Sequence, residues 1–341
     1  MNPSEYPGYY LCLVGFLAGS FAVLERGRLG ADEPLPLPKP LAEVTHPADN
    51  AGTPEKIALG KELFFDPRLS RTERVACATC HDPAKGFTNG ERVSIGVEGK
   101  KGTRKPPSLV NVAFNRTHFW DGRSATLEEQ ALVPIQDPSE MDMRLDALVQ
   151  RLNDIPGYRK QFQAVFGGPA TAPRIAQAIA AYERTIVARD TPFDRYLRGD
   201  TKALSAAATR GMRLFFGDAR CVVCHKGPNF TDDDFHNIGV PHGGQPDPGR
   251  RAVTSKPADQ GKFKTPALRE IGRRAPYMHN GHFKTLPEVV QHYNFAGVTD
   301  EANDNRDPEL RVLYLVEDQV NDVVTFLTDG LTSPRPVNAG R

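Results

Sequence analysis

The sequence predicts a mainly α-helical protein made of two related halves with long ordered loops. Three observations carry this expectation. Apolar residues recur at helical spacing in several segments, persuasive strand alternation is absent, and one block of sequence occurs twice. The 341 residues are enough for two domains of ordinary size, each with its own core. Gly (30) and Pro (29) are numerous beside 39% apolar residues, so loops take up much of the chain. With 43 basic against 42 acidic residues the net charge is +1, which gives no reason to expect a nucleic acid or an anionic membrane as partner.

Along the chain, Tyr9 to Leu24 form an uncharged, mostly apolar run that suits the core of a secretory signal and is short for a spanning helix. A signal over residues 1–31 is favoured over an uncleaved membrane anchor, although Glu5 and the lack of Lys or Arg make its start atypical. The Pro-rich stretch 32–47 reads as an extended linker, and folded structure is expected just after Pro47. Two domains follow, over 48–200 and 201–331. The repeat supports them: GKELFF at 60–65 and GMRLFF at 211–216 each precede a cysteine pair, and GFT at 86–88 and NFT at 229–231 each follow one. Between the pairs, TLEE at 126–129 resembles a capping box leading into a helix that Pro134 should end. Helical spacing also marks Met143 to Leu152, Ala172 to Val187, Leu286 to Tyr293 and Asp318 to Leu327.

Five cysteines are present, and Cys12 falls in the expected leader. The other four form Cys77-Ala78-Thr79-Cys80-His81 and Cys221-Val222-Val223-Cys224-His225. Disulfides or a zinc ion are the competing readings for an exported chain. A four-cysteine zinc site leaves both histidines unexplained, and a disulfide framework needs no histidine after each pair. C-type haem attachment uses every one of these positions, because two thiols bond the porphyrin vinyl groups and the histidine binds iron. Two covalent haems, at His81 and His225, are therefore expected, in two cytochrome-c-like domains.

With these motifs the sequence resembles the bacterial dihaem cytochrome c peroxidases and their MauG-type relatives, from about Pro54 to Leu331. The marks are LGKELFFDPRLS, CATCH, FNRTHFWDGR, LEEQ, DPSEM, CVVCH, KTPALREI and APYMHNGHFKTLPEVVQHYN. The resemblance implies that the first haem reacts with peroxide, with Glu140 shuttling the proton and Gln130 hydrogen-bonding water or peroxide. Without it, Glu140 would read as a solvated loop carboxylate. Pro134 matches a proline that keeps iron unligated in MauG-type enzymes. Trp120, the only tryptophan, matches one lying between the haems, where an indole relays a hole; a buried core indole is the plainer reading, and both can hold.

Two departures from the peroxidase pattern stand out. The place of a histidine that caps the first iron in many members falls on Val97, which cannot ligate, so that iron should be open in the ferric state. His118 is the nearest other histidine, and its place beside Trp120 speaks for a structural role. The methionine ligand of the second haem is replaced by Tyr293, as in MauG-type proteins, which lowers the potential relative to thioether. His292 is a competing ligand, whereas Met278, His279 and His282 match positions common to both branches. Relatives also hold a calcium ion between the domains; its amide ligand falls on Lys105, with Arg274 and Pro276 near the other contacts. Protonated lysine has no lone pair to give, so calcium is doubtful here.

The function that follows is reduction of hydrogen peroxide to water at the first haem. Electrons would pass through the second haem from a small donor protein, a cytochrome c or cupredoxin. Two alternatives stay open: a MauG-like enzyme oxidising a protein substrate from a distance, and a non-catalytic dihaem carrier or sensor. The expected export signal implies a periplasmic location, with an uncleaved anchor as the alternative, and whether the protein forms a homodimer, as several relatives do, stays open.

Overall fold

The computed structural model describes residues 35–300, 303–335 and 337, so the expected signal at 1–31 lies outside the described residues. Residues 35–47 have no regular secondary structure, and Leu35 and Leu37 of this Pro-rich stretch pack against the core of the second half.

Helix α1 (Pro54–Phe65) starts where Thr53 accepts a hydrogen bond from Lys56 N, with proline at the first turn. The short α2 (Cys77–Cys80) holds the first cysteine pair. Helix α3 (Leu127–Gln136) begins in the foreseen capping arrangement: Thr126 accepts from Glu129 N, and the Glu129 carboxylate accepts from Ala125 N. It runs two residues past Pro134 instead of stopping there. The missing N–H of Pro134 withdraws one bond to Gln130, and Asp137 N closes the last turn on Val133 O at 3.1 Å.

Helices α4 (Leu145–Asp154) and α5 (Pro156–Phe166) form a hairpin, then α6 (Ala172–Glu183) crosses α1. Helix α6 ends before Val187 because the next segment pairs with Asn111: Asn111 N donates to Ile186 O at 2.8 Å, and Asn111 Oδ1 accepts from Ala188 N at 2.7 Å. Helix α7 (Pro192–Leu197) falls within the expected first domain, 48–200, but its Phe193 packs into the core of the second half, so it is counted there. The second half also carries α8 (Ala206–Phe216), the short α9 (Arg251–Thr254), α10 (Leu286–Asn294) and α11 (Glu317–Thr325), followed by one π turn over Phe326–Gly330. A two-residue antiparallel ladder, β1 (Phe235–His236) with β2 (Phe263–Lys264), is the paired strand segment among the described residues.

The repeated glycines explain how each half is built. A Cβ on Gly60 would lie 1.8 Å from Ala178 O of α6, and one on Gly211 would lie 1.8 Å from Asp322 O of α11. Each glycine lets two helices cross at backbone contact. Around the second crossing, Phe193, Phe215, Phe216, Phe230 and Phe326 form one aromatic core. The first half has separate clusters, one on Leu63, Leu148, Phe162 and Ile179, the other on Phe64, Phe87 and Tyr182.

A second, less visible repeat relates the loops. Lys105, Trp120, Gly122 and Pro134 lie 159 residues before Lys264, His279, Gly281 and Tyr293. Both copies share left-handed residues, Phe119 with Met278 and Gly122 with Gly281, and the same bridge, His118 to Ser124 and Tyr277 to Phe283. The copies bond reciprocally: Lys105 N donates to His279 O at 2.7 Å, and Lys264 N to Trp120 O at 2.8 Å. An approximate twofold relation thus runs between the halves.

Candidate active site

One cavity of about 850 Å³ is lined from both halves. It brings together Cys80, His81, Trp120, Gln130, Pro134 and Glu140 from the first, and Cys221, Cys224, His225 and Tyr293 from the second. Cys77 lies one helical turn from His81 and packs on the core containing Phe64 and Phe87.

Each histidine is set by the same local device. Phe87 and Phe230 are fully buried and left-handed, with φ of 57° and 56°, and each turns its carbonyl toward the histidine before it. His81 Nδ1 lies 3.0 Å from Phe87 O, and His225 Nδ1 lies 3.0 Å from Phe230 O. A carbonyl only accepts, so Nδ1 carries the proton in both rings and Nε2 keeps its lone pair for a metal. Burial pushes the His81 imidazole down to about 4, with the Phe87 carbonyl opposing, and lowers His225 in the same direction. Both are neutral donors at physiological pH. All four motif cysteines are free thiols, as attachment to a porphyrin requires. Burial raises the thiols of Cys77, Cys80 and Cys221, Cys80 to about 11 and Cys221 to about 12, so none of these three is a ready thiolate before it is bonded. Paired free thiols, a histidine with a free Nε2 and an apolar cavity fit haem at both places.

The far sides of the two places differ. Helix α3 turns Gln130, Val133 and Pro134 toward the cavity on the His81 side. Gln130 Oε1 is buried without a partner. Glu140 is held by its own backbone, whose carbonyl accepts from Val97 N at 2.8 Å. Gly96 permits this approach, since a Cβ there would lie 2.4 Å from Glu140 O. Burial, with Asp137 adding to it, pushes the Glu140 carboxyl up to about 6 against the pull of Arg123. Val97 is fully buried in the first-half core and does not line the cavity. His118 does line it, with Nδ1 unpartnered and burial lowering it to about 4.

On the His225 side, α10 turns Leu286, Val289, Val290 and Tyr293 toward the cavity. Burial raises the Tyr293 phenol strongly, and the neighbouring Cys224 and Cys221 add to it. The competing His292 points elsewhere, its Nε2 2.9 Å from Ile238 O. Met278 and His279 also line the cavity, and the His279 ring stacks on Phe263 at 3.6 Å.

Trp120 is fixed between the halves, its indole N–H donating to Lys105 O at 2.8 Å. Around it Arg104 bonds Asp121 at 2.6 Å and Asp247 at 2.7 Å, tying the first half to the second. The residues at the suggested calcium position do not fit a hard cation. Lys105 and Arg274 both line the cavity there and are 5% and 6% exposed. Calcium needs oxygen donors, and this place presents an ammonium and a guanidinium.

Sequence reasoning missed His236. Its Nδ1 lies 2.5 Å from Asp307 and its Nε2 3.1 Å from Asp232, and Asp232 foremost, then Cys224 and Asp307, raise it to about 11. Cys224, Asp232 and His236 have ligand atoms within 4.8 Å of one another, but the thiol belongs to the haem motif. No spacing signal marks His236, because one of its partners comes from a loop 71 residues away.

The comparisons with known proteins agree with this geometry. Residues 54–202 match the sequence profile of the di-haem cytochrome c peroxidases. The chain is 42% identical over 286 residues to the methylamine utilization protein MauG of Methylorubrum extorquens, covering 83% of this chain and 80% of that one. It is 38% identical over 332 residues to the cytochrome-c peroxidase IdrP1 of Denitromonas iodatirespirans, covering 87% of each. Among solved structures, a MauG-like protein associated with microbial copper homeostasis superposes with a TM-score of 0.82 at 32% identity, covering 89% of this chain and 96% of that one. Both branches are thus similar to it over most of their length, and the chain belongs to the dihaem cytochrome c peroxidase and MauG family of haem-dependent oxidoreductases.

Proposed function

We propose that this protein is a c-type dihaem peroxidase that reduces hydrogen peroxide to water on the His81 side, with electrons entering on the His225 side from a small donor protein. The observation that carries the reading is the inequality of the two far sides: Glu140, Gln130 and Pro134 at one, Tyr293 at the other. Cys77 and Cys80, with His81, would hold one haem; Cys221 and Cys224, with His225, the other. The haems would supply redox-active iron that reacts with peroxide at the first place.

The chain's own groups do the rest. The Glu140 carboxylate takes a proton from the entering peroxide and returns it to the departing oxygen, a role suited to a group near the operating pH. The unpartnered Gln130 Oε1 accepts a hydrogen bond from peroxide or water and orients it. Pro134 presents a ring that cannot ligate, and the buried Val97 leaves the same side uncapped. Trp120, held by Lys105 and Lys264, offers an oxidisable indole between the halves. Tyr293 would hold the second haem from the side away from His225. The leader supports export, and with it a periplasmic location.

A second reading has its own support: Tyr293 and the 42% identity to MauG favour oxidation of a protein substrate over a cytochrome donor. Adding peroxide to the ferric holoprotein while following the Soret band tests the shared core. A high-spin signal that changes on mixing is expected; no high-spin signal, or no change, defeats peroxide chemistry. Steady-state turnover with reduced cytochrome c or cupredoxin, set against protein substrates, separates the two readings.

A further inference from the structure

Lys105 and Arg274 are the anomaly of the cavity. Both are almost wholly buried, both line it, and neither forms an ion pair among the described residues. Lys105 Nζ has a weak contact to Glu91 O at 3.4 Å. Arg274 donates Nη1 to Ala267 O at 2.8 Å and Nη2 to Arg269 O, and its Nε is buried without a partner. The neighbouring Arg104 is, by contrast, bonded to two carboxylates.

The internal repeat shows what is missing. Lys264 stands in the register of Lys105, is 8% exposed, and pairs with Asp233 at 3.2 Å. Asp233 lies three residues after Phe230; three residues after Phe87 stands Gly90. One lysine has a carboxylate in contact, and the other has a glycine at that place, with Glu91 acting on it only from farther off. Glu91 acts on Lys105, and Glu270 on Arg274, only from beyond ion-pair distance. Two buried cations with no carboxylate in contact are costly, so an anion that is not part of the chain is called for. Their position says which. Lys105 acts on His81 through its charge, and the Arg274 side chain lies against Gly86, next to Phe87 whose carbonyl holds His81.

We propose that Lys105 and Arg274 form a built-in clamp for the carboxylate arms of the haem at His81, one cation from each half, in place of a bound divalent metal. This rests on the haem reading above. The carboxylates meet an ammonium and a forked guanidinium, which is the donor set that recognises them. A positive charge held beside this haem also favours its reduced form.

The test uses the holoprotein, with haem content measured first by the pyridine haemochrome spectrum; fewer than two haems per chain in the wild type would defeat the cofactor reading instead. Lys105→Met is expected to lower the midpoint potential of the His81 haem and leave that of the His225 haem in place, and Lys105→Arg to restore it. Wild-type spectra are expected to be unchanged by EDTA, and calorimetric titration with calcium chloride to show no uptake. Where Lys105→Met does not fold, Arg274→Gln is read by the same potential titration. An unchanged His81-haem potential in the folded variant, or one calcium taken up per wild-type chain with a spectral shift, overturns the clamp.

Discussion

Glu140 is a carboxylate whose burial decides its use. Held at about 6, it is ionised at neutral pH and protonated in mild acid. On the proposed role the ionised form accepts the peroxide proton, so the rate with peroxide should fall below pH about 6 and level off above it. Glu140→Gln should remove that step and slow the reaction by roughly 10²- to 10⁴-fold, read by stopped-flow spectroscopy. A variant that keeps the acid limb would place the proton elsewhere. At the other far side, Tyr293→Met replaces a hard anionic ligand by a thioether and should raise the second haem's potential. An unchanged visible spectrum would remove Tyr293 from the iron. Residue identity in the motifs was the most legible part of the sequence, since CATCH and CVVCH name their histidines directly. Burial was not: nothing in the string shows that Val97 turns into the core while Glu140 faces the cavity.

At the scale of elements, periodicity marked several helices with one apolar face, among them α4, α10 and α11. It missed α5, because Pro156-Gly157 reads as a turn although proline suits a first helical turn. It stopped α3 at Pro134, although a helix end can give up one bond near its last turn. The glycine in GKELFF and GMRLFF was visible as a repeat, but its reason is a contact with a helix more than a hundred residues away. Gly211→Ala should therefore destabilise the protein by about 1–3 kcal/mol or more, since the new methyl group meets the backbone of α11. Thermal melting of the holoprotein measures it. A change below about 0.5 kcal/mol would mean that the α8–α11 crossing relaxes freely.

For the whole molecule the joint between the halves matters most, and it was the least legible. The repeat at 159 residues pairs Trp120 with His279 and Pro134 with Tyr293, so its most informative positions differ in type. The constant features, a left-handed residue and a capped helix start, are conformational and scarcely show in the letters. Arg104 binds this joint through Asp121 of the first half and Asp247 of the second, and is partly buried. Arg104→Met leaves both carboxylates without that partner and should cost roughly 1.5–3 kcal/mol, read by chemical denaturation. A loss below about 1 kcal/mol would mean that solvent replaces it. The register of Pro134 and Tyr293 has a last consequence, for descent. If the halves arose by doubling of one ancestral segment, a difference at one codon on the third turn of the same helix suffices to divide labour between them. Exchanging the two residues would then be a direct way to ask how much of that division resides in a single letter.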